Sequence, residues 1–301
     1  MIVEQSKSII AEVNKALVGK QDVVEKALMA IYAGGHILLE DVPGTGKTTL
    51  ALALSKALDL GYKRVQFTPD TTPSDITGFT MFNRETNEFS FTWGAVNCNL
   101  LLADEINRTS AKTQSALLEV MEELSVTVDG VTRMVPRPFV CIATGNPVGS
   151  AGTQPLPDSQ LDRFMVRLSI GYPSTQDQVN ILKAKRYSNP LDDIKPKVSR
   201  DDLMGVQNFL GNVQIADSVL DVRLGEETRN ASLVELGVSP RGIIALARMA
   251  RACALIRERD FVTPEDVREV FTAVCAHRLV LKPQARIESI TAEDIHPGIA
   301  S

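Results

Sequence analysis

Apolar residues recur at helical spacing through residues 4–33, at Ile9, Val13 and Leu17 and then at Val24, Leu28 and Ile31. Gly19 interrupts the series, so the pattern predicts two helices joined at Val18-Gly19-Lys20-Gln21, the second closed by Gly34-Gly35. The period then changes. Residues 36–40 form a short apolar run, the glycine-rich stretch Pro43-Gly44-Thr45-Gly46-Lys47-Thr48 follows, and residues 49–58 read as helix. Further strands are predicted at 62–67, 100–104, 139–144 and 164–170, with a clear helix at 113–123. The run 100–104 is apolar on both faces, as a central strand of a covered sheet must be. Strands alternating with helices predict an α/β fold built on a mostly parallel sheet.

Two segments interrupt that alternation. Residues 70–98 carry Phe79, Phe82, Phe89, Phe91 and Trp93 among turn residues, and 125–138 read as a hairpin about Asp129-Gly130. Beyond about residue 174 no strand is predicted. Helices are expected at 176–187, 200–209, 216–224, 241–259 and 264–277. Thr263-Pro264-Glu265-Asp266 is a complete helix start, with a capping residue, proline at the first position and an acid at the third. The expected organisation is a core at 1–174, with insertions near 70–98 and 125–138, followed by a helical region at 175–301.

Charge narrows the partners. Lys and Arg number 32 against 37 Asp and Glu, a net charge of −5. A dedicated nucleic-acid binder usually carries a basic excess, so proteins or small molecules are the favoured partners. The start of the chain lacks the basic and apolar regions of a signal peptide, and no apolar run approaches the ~20 residues of a membrane span. Cys98, Cys141, Cys253 and Cys275 form no CxxC pair, as expected of buried thiols in a reducing cytoplasm.

The chemistry begins at the glycine-rich stretch, which lies between a predicted strand and a predicted helix. There glycines let backbone N–H groups converge on phosphate oxygens, and the helix start adds partial positive charge. Residues 43–49 (Pro43, Gly44, Thr45, Gly46, Lys47, Thr48 and Thr49) are the candidate phosphate contacts. Lys47 would meet the β and γ phosphates, and the Thr48 hydroxyl would ligate Mg²⁺. The strict motif has glycine where this chain has Asp41, a carboxylate that is tolerable only if it points away from the loop.

Leu100 to Ala103 lead into Asp104-Glu105. In a parallel sheet that strand tip meets the same edge as the phosphate loop. Asp104 could hold Mg²⁺ through water, and Glu105 could deprotonate an attacking water. Asn146 ends another strand, where it is either a water-positioning amide or a turn residue before Pro147. Arg163, just before the fifth strand, could stabilise transferring phosphoryl charge from a neighbouring chain or make a structural ion pair, with Asp162 and Arg167 close in sequence. Arg241 follows Ser239-Pro240 at a helix start, where a cation opposes the helix dipole and a bound phosphate would offset the cost.

Together these stretches resemble the MoxR-type AAA+ ATPases. The similarity runs through residues 38–48, 101–108 and 112–119, through Ala143-Thr144-Gly145-Asn146-Pro147, and through 156–157, 160–164 and Ser239-Pro240-Arg241. Aspartate at position 41 is itself common in that family. The resemblance implies an αβα core with sheet order 5-1-4-3-2 and an all-helical lid. It makes Lys47 and Thr48 the Walker A pair, Asp104 and Glu105 the Walker B pair, Asn146 sensor 1, Arg163 the arginine finger and Arg241 sensor 2. Val18 and Gly19 would lie by the adenine. ATP or ADP with Mg²⁺ would bind between core and lid, with Arg241 reading the phosphates. The resemblance further implies a ring, usually hexameric, that remodels, matures or inserts metal into partner complexes, often with a protein bearing a von Willebrand factor A domain. A nucleic-acid motor and a low-turnover regulator are the rival readings.

Overall fold

A computed structural model of the chain describes residues 2–85, 87–145, 156–185, 189–216 and 223–295. Helices α1 (Ile2–Asn14) and α2 (Gln21–Tyr32) open it, as the periodicity predicts. There follow β1 (Ile37–Glu40), α3 (Lys47–Ala57) and β2 (Tyr62–Gln66). Next come α4 (Pro73–Thr77), the hairpin β3 (Gly78–Asn83) and β4 (Glu88–Trp93), and β5 (Leu100–Asp104). Then α5 (Ala111–Glu123), the hairpin β6 (Ser125–Val128) and β7 (Val131–Met134), β8 (Val140–Gly145), α6 (Asp158–Leu161) and β9 (Val166–Leu168) complete the core.

Five of these strands form one sheet in the order β2-β5-β8-β1-β9, with every pairing parallel. Read from β9, that is the expected 5-1-4-3-2. Side chains on a strand alternate between faces. Ile37, Leu39, Leu100, Leu102, Val140 and Ile142 pack on one side against α1, α2 and α3. Leu38, Leu101, Ala103, Cys141 and Ala143 pack on the other with Leu117, Leu118 and Met121 of α5. Both faces are covered, so the central strands read as unbroken apolar runs.

The two interruptions are hairpins. β3 and β4 follow α4, whose start at Thr72 is a capping box. Gly94 is required there: a Cβ on it would lie 2.3 Å from the Ile76 carbonyl oxygen. β6 and β7 turn at Asp129-Gly130, both with positive φ, as the two-residue turn demands. Arg133 of β7 stacks 4.0 Å from the Phe91 ring of β4, joining the hairpins.

The remaining elements are α7 (Thr175–Lys185), α8 (Arg200–Phe209), α9 (Arg223–Asn230), β10 (Val234–Leu236), α10 (Pro240–Ile256), α11 (Pro264–Cys275), β11 (Val280–Leu281) and α12 (Pro283–Ile287). Leu246, Met249, Ala250 and Cys253 of α10 share the apolar cluster of Val24 and Leu28, so the lid docks on the first helices. The lid is helical, but not entirely. β10 and β11 pair antiparallel, Val234 with Leu281. Strands of three and two residues are too short to show a period. Of the helix expected at 216–224, Ala216 is not helical, 217–222 lie outside the described residues, and 223–224 belong to α9. All four cysteines are buried and unpaired. Among the described residues no helix is long and apolar enough to cross a membrane.

Candidate functional site

Lys47 opens α3, and its helix is capped by Gly46 at φ 102°. Gly44 also has a left-handed φ of 86°, so two glycines supply the backbone freedom the loop needs. The Lys47 ammonium lies across the loop, donating to the Asp41 carbonyl at 2.5 Å and the Val42 carbonyl at 3.2 Å. Burial lowers its pKa, while the carboxylates of Asp41, Asp104 and Glu105 oppose that. Thr48 is the second residue of α3 and partly buried.

Asp41 turns its carboxylate away from the loop. Its Oδ2 accepts from the backbone N–H groups of Ile170 at 2.7 Å and Gly171 at 2.6 Å and from the Ser169 hydroxyl at 3.2 Å. Its Oδ1 accepts from Val42 N–H at 3.0 Å. The aspartate thus pins the start of the loop to the exit of β9, and its charge is spent on that edge.

A cavity of about 210 Å³ opens beside the loop. Gly44, Thr45, Gly46 and Thr49 line it together with Val18 and Pro173. Gly19 has a left-handed φ of 73°, and a Cβ on it would displace the Asp177 carboxylate. The expected phosphate and adenine segments therefore do converge.

Asp104 ends β5, and Glu105 follows with a left-handed φ of 57°, a strained conformation for a residue with a Cβ. Thr144 on β8 braces both: its hydroxyl donates to Asp104 Oδ1 at 2.6 Å and accepts from the Glu105 N–H at 2.8 Å. Arg64 on β2 holds Asp104 Oδ2 through Nε at 3.1 Å and Nη2 at 2.6 Å. The Glu105 carboxylate takes a bond from Arg108 at 2.9 Å. Thr144 and Arg64 carried no sequence signal as site residues; only the register Arg64 to Leu102 and Ala103 to Ala143 brings them here.

The two expected arginines lie elsewhere. Arg163 pairs with Glu122 at 3.5 Å, and Arg241 pairs with the same carboxylate. They line a second cavity of about 400 Å³ with Gly34, Gly35 and His36, at the start of β1. The phosphate loop is at the other end of that strand, whose four residues span ~13 Å. Arg241, expected to read phosphates, is thus placed away from the phosphate loop of its own chain. Its helix packs on α2, and its first turn meets the C-terminal end of α5 rather than the start of α3. Five arginines line this cavity, Arg137, Arg163, Arg241, Arg248 and Arg278, against Glu122 and Asp162. Asn146 lies outside the described residues.

Comparison with known proteins gives the family. The family profile for the ATPase family associated with various cellular activities (AAA) matches residues 36–166, and the AAA lid domain profile matches 226–299. An uncharacterised protein of Bacillus subtilis, YeaC, is 46% identical, covering 97% of this chain and 92% of its own. Chaperone MoxR1 of Mycobacterium tuberculosis is 39% identical, covering 94% of this chain and 78% of its own. The chain belongs to the MoxR family of AAA ATPases. A crystallised ATPase candidate from Cytophaga hutchinsonii, 37% identical, superposes with a TM-score of 0.88 over 96% of this chain and 91% of its own.

As a MoxR-family member the chain is a nucleotide-hydrolysing enzyme, and its AAA domain implies ATP and Mg²⁺. The donors fit that ion. Mg²⁺ is held through one or two carboxylates, water and phosphate oxygens, without an all-protein cage. Both Asp104 oxygens already accept hydrogen bonds, so this carboxylate suits contact through water.

Proposed function

We propose that the chain works in a ring, hexameric by family resemblance, in which one subunit holds ATP and the next completes its site with Arg163 and Arg241. The observation that carries this reading is the separation just described. The phosphate loop and the Asp104-Glu105 tip share one edge of the sheet, while both arginines sit at the opposite edge, at the other end of β1. A head-to-tail neighbour closes that gap.

In this reading Lys47 and the loop amides hold the phosphates, and Val18 and Gly19 flank the base. Thr48 and Asp104 hold Mg²⁺, which neutralises phosphate charge when bound. Glu105 leaves Arg108 to take the proton of the attacking water, and Asn146 positions that water. The neighbour's arginines then meet the charge that develops on the transferring group. Hydrolysis moves a lid from about residue 175 against the core at 1–174. That motion does chaperone-like work on a partner complex in the cytoplasm, consistent with the chaperone MoxR1 among its relatives. A protein with a von Willebrand factor A domain is the proposed adaptor, and metal insertion or maturation of an enzyme complex the narrower form of the work.

The test is Glu105→Gln, offered ATP and used as bait. Turnover should fall by roughly 10²- to 10⁴-fold with ATP still bound, and the trapped ring should retain a protein partner. Turnover at the parental rate would remove Glu105 as the base. Stimulation by DNA and by no protein would favour a nucleic-acid motor instead.

A further inference from the structure

We propose that Arg278 is a positioning residue that fixes Arg163 and Arg241 as one unit; the inference rests on the reading of those arginines as acting on a neighbour's nucleotide. Arg278 stands at the end of a 3-10 turn after α11, and its side chain is only 2% exposed. Its Nε donates to Asp162 Oδ1 at 2.7 Å, and its Nη2 donates to the Asp162 carbonyl at 3.0 Å and the Phe164 carbonyl at 2.6 Å. Its Nη1 reaches the Met165 carbonyl at 3.3 Å and also the Val274 carbonyl. One guanidinium therefore grips residues 162, 164 and 165, the backbone on both sides of Arg163.

Asp162 carries the grip to the lid. Its carboxylate accepts from the Ser239 hydroxyl, 3.0 Å from Oδ2 and 3.2 Å from Oδ1. Ser239 is the cap of α10, accepting from Gly242 N–H at 3.1 Å, and Arg241 lies between the two in sequence. The first turn of α10 also rests directly on Arg278. A Cβ on Gly242 would stand 2.7 Å from Arg278 Cδ and 3.1 Å from its Nε. Glu122 then bridges the tips of Arg163 and Arg241.

A cation so enclosed is a costly way to join two segments, since an apolar side chain of similar volume often stabilises as well or better. A guanidinium does what an apolar group cannot: its planar fork sets the orientation of four carbonyls and a carboxylate at once. Two arginines that must meet one phosphoryl group from separate domains need such a shared reference, because small misplacement is expensive in rate.

The experiment compares Arg278→Lys and Ser239→Ala with Arg163→Ala in the full chain. Ser239→Ala removes the link from Asp162 to α10 together with that helix's cap but leaves Arg278 on Asp162, so it serves if Arg278→Lys folds poorly. In both, kcat should fall by roughly ten- to a hundredfold while the affinity for a fluorescent ATP analogue stays within about twofold. Mixing with Lys47→Ala subunits, which bring intact arginines to the variant's own nucleotide site, should restore turnover. A fault internal to the variant's own fold would stay with it and resist that rescue. Parental kcat in both variants, or a loss that Lys47→Ala subunits do not repair although they repair Arg163→Ala, overturns the positioning role alone. Parental turnover by Arg163→Ala, or no repair of any variant, removes the trans reading and this inference with it.

Discussion

A carboxylate beside a triphosphate should repel it, and Asp41 shows how the chain avoids that. Four donors surround its two oxygens, and two of them are backbone N–H groups of the segment leaving β9. Removing the side chain leaves those buried amides without partners, at a cost of about 1–3 kcal/mol. Asp41→Ala should therefore lower the urea midpoint by a corresponding amount and loosen the loop, and a parental midpoint would contradict the anchor role. Arg64 bears on the metal instead. Its guanidinium occupies Asp104 Oδ2, so a cation approaching Asp104 meets a positive charge. Arg64→Ala should lower the Mg²⁺ concentration for half-maximal turnover, read from a metal titration of phosphate release. The sequence foretold that Asp41 must face away, because charge alone requires it. It did not name Ile170 and Gly171, which lie 129 and 130 residues along the chain, nor Arg64, whose approach depends on strand register.

Buried titratable groups clamp several elements together, and acid should release them in two phases. His36 joins the start of β1 to α5 and β8, donating from Nε2 to the Met121 carbonyl and accepting from Cys141 N–H at Nδ1. Burial lowers its pKa from 6.5 to about 4, and burial likewise pushes His277 well down. The unfolded chain protonates these rings first, so their stabilisation is complete above about pH 6.5 and fades as pH falls towards 4. Glu12 on α1 is buried, which raises its pKa, but Lys15, Lys197 and the Lys195 N–H outweigh that and bring it from 4.5 to about 2. Its contribution is intact above pH 4.5 and lost progressively as pH falls towards 2. Urea midpoints taken from pH 7.5 to 3 should fall in both ranges, and Glu12→Gln should shrink the lower phase, to which Asp266 also contributes, and leave the upper one. Elements of this kind were unequally legible. β5 and β8 announced themselves as unbroken apolar runs because both faces are covered, and Asp129-Gly130 announced its hairpin. β10, β11 and α9 did not, since two or three residues show no period and α9 is polar throughout most of its length.

At the scale of the molecule one feature carries the proposed reading: the phosphate loop and the paired arginines lie at opposite ends of β1. Both sets of residues were legible as motifs, and Arg163 was expected to act on a neighbour, but the placement of Arg241 beside it was not legible, because the direction of α10 is set by packing on α2 rather than by any local signal. Among the described residues Glu122 alone pairs with both Arg163 and Arg241 in the isolated chain, leaving a positive excess that a neighbour's phosphates would meet. Turnover per subunit should then rise with protein concentration as neighbours meet and level off when assembly is complete. Arg163→Ala should level off roughly a thousandfold lower at unchanged ATP affinity, the loss expected when a trans-acting arginine is removed. Dilution series of phosphate release, read beside sedimentation of the same samples, check both statements. Specific activity that stays flat across a range in which the chain passes from monomer to assembly would mean that one subunit completes its own site, and the opposed placement of the arginines would need another purpose.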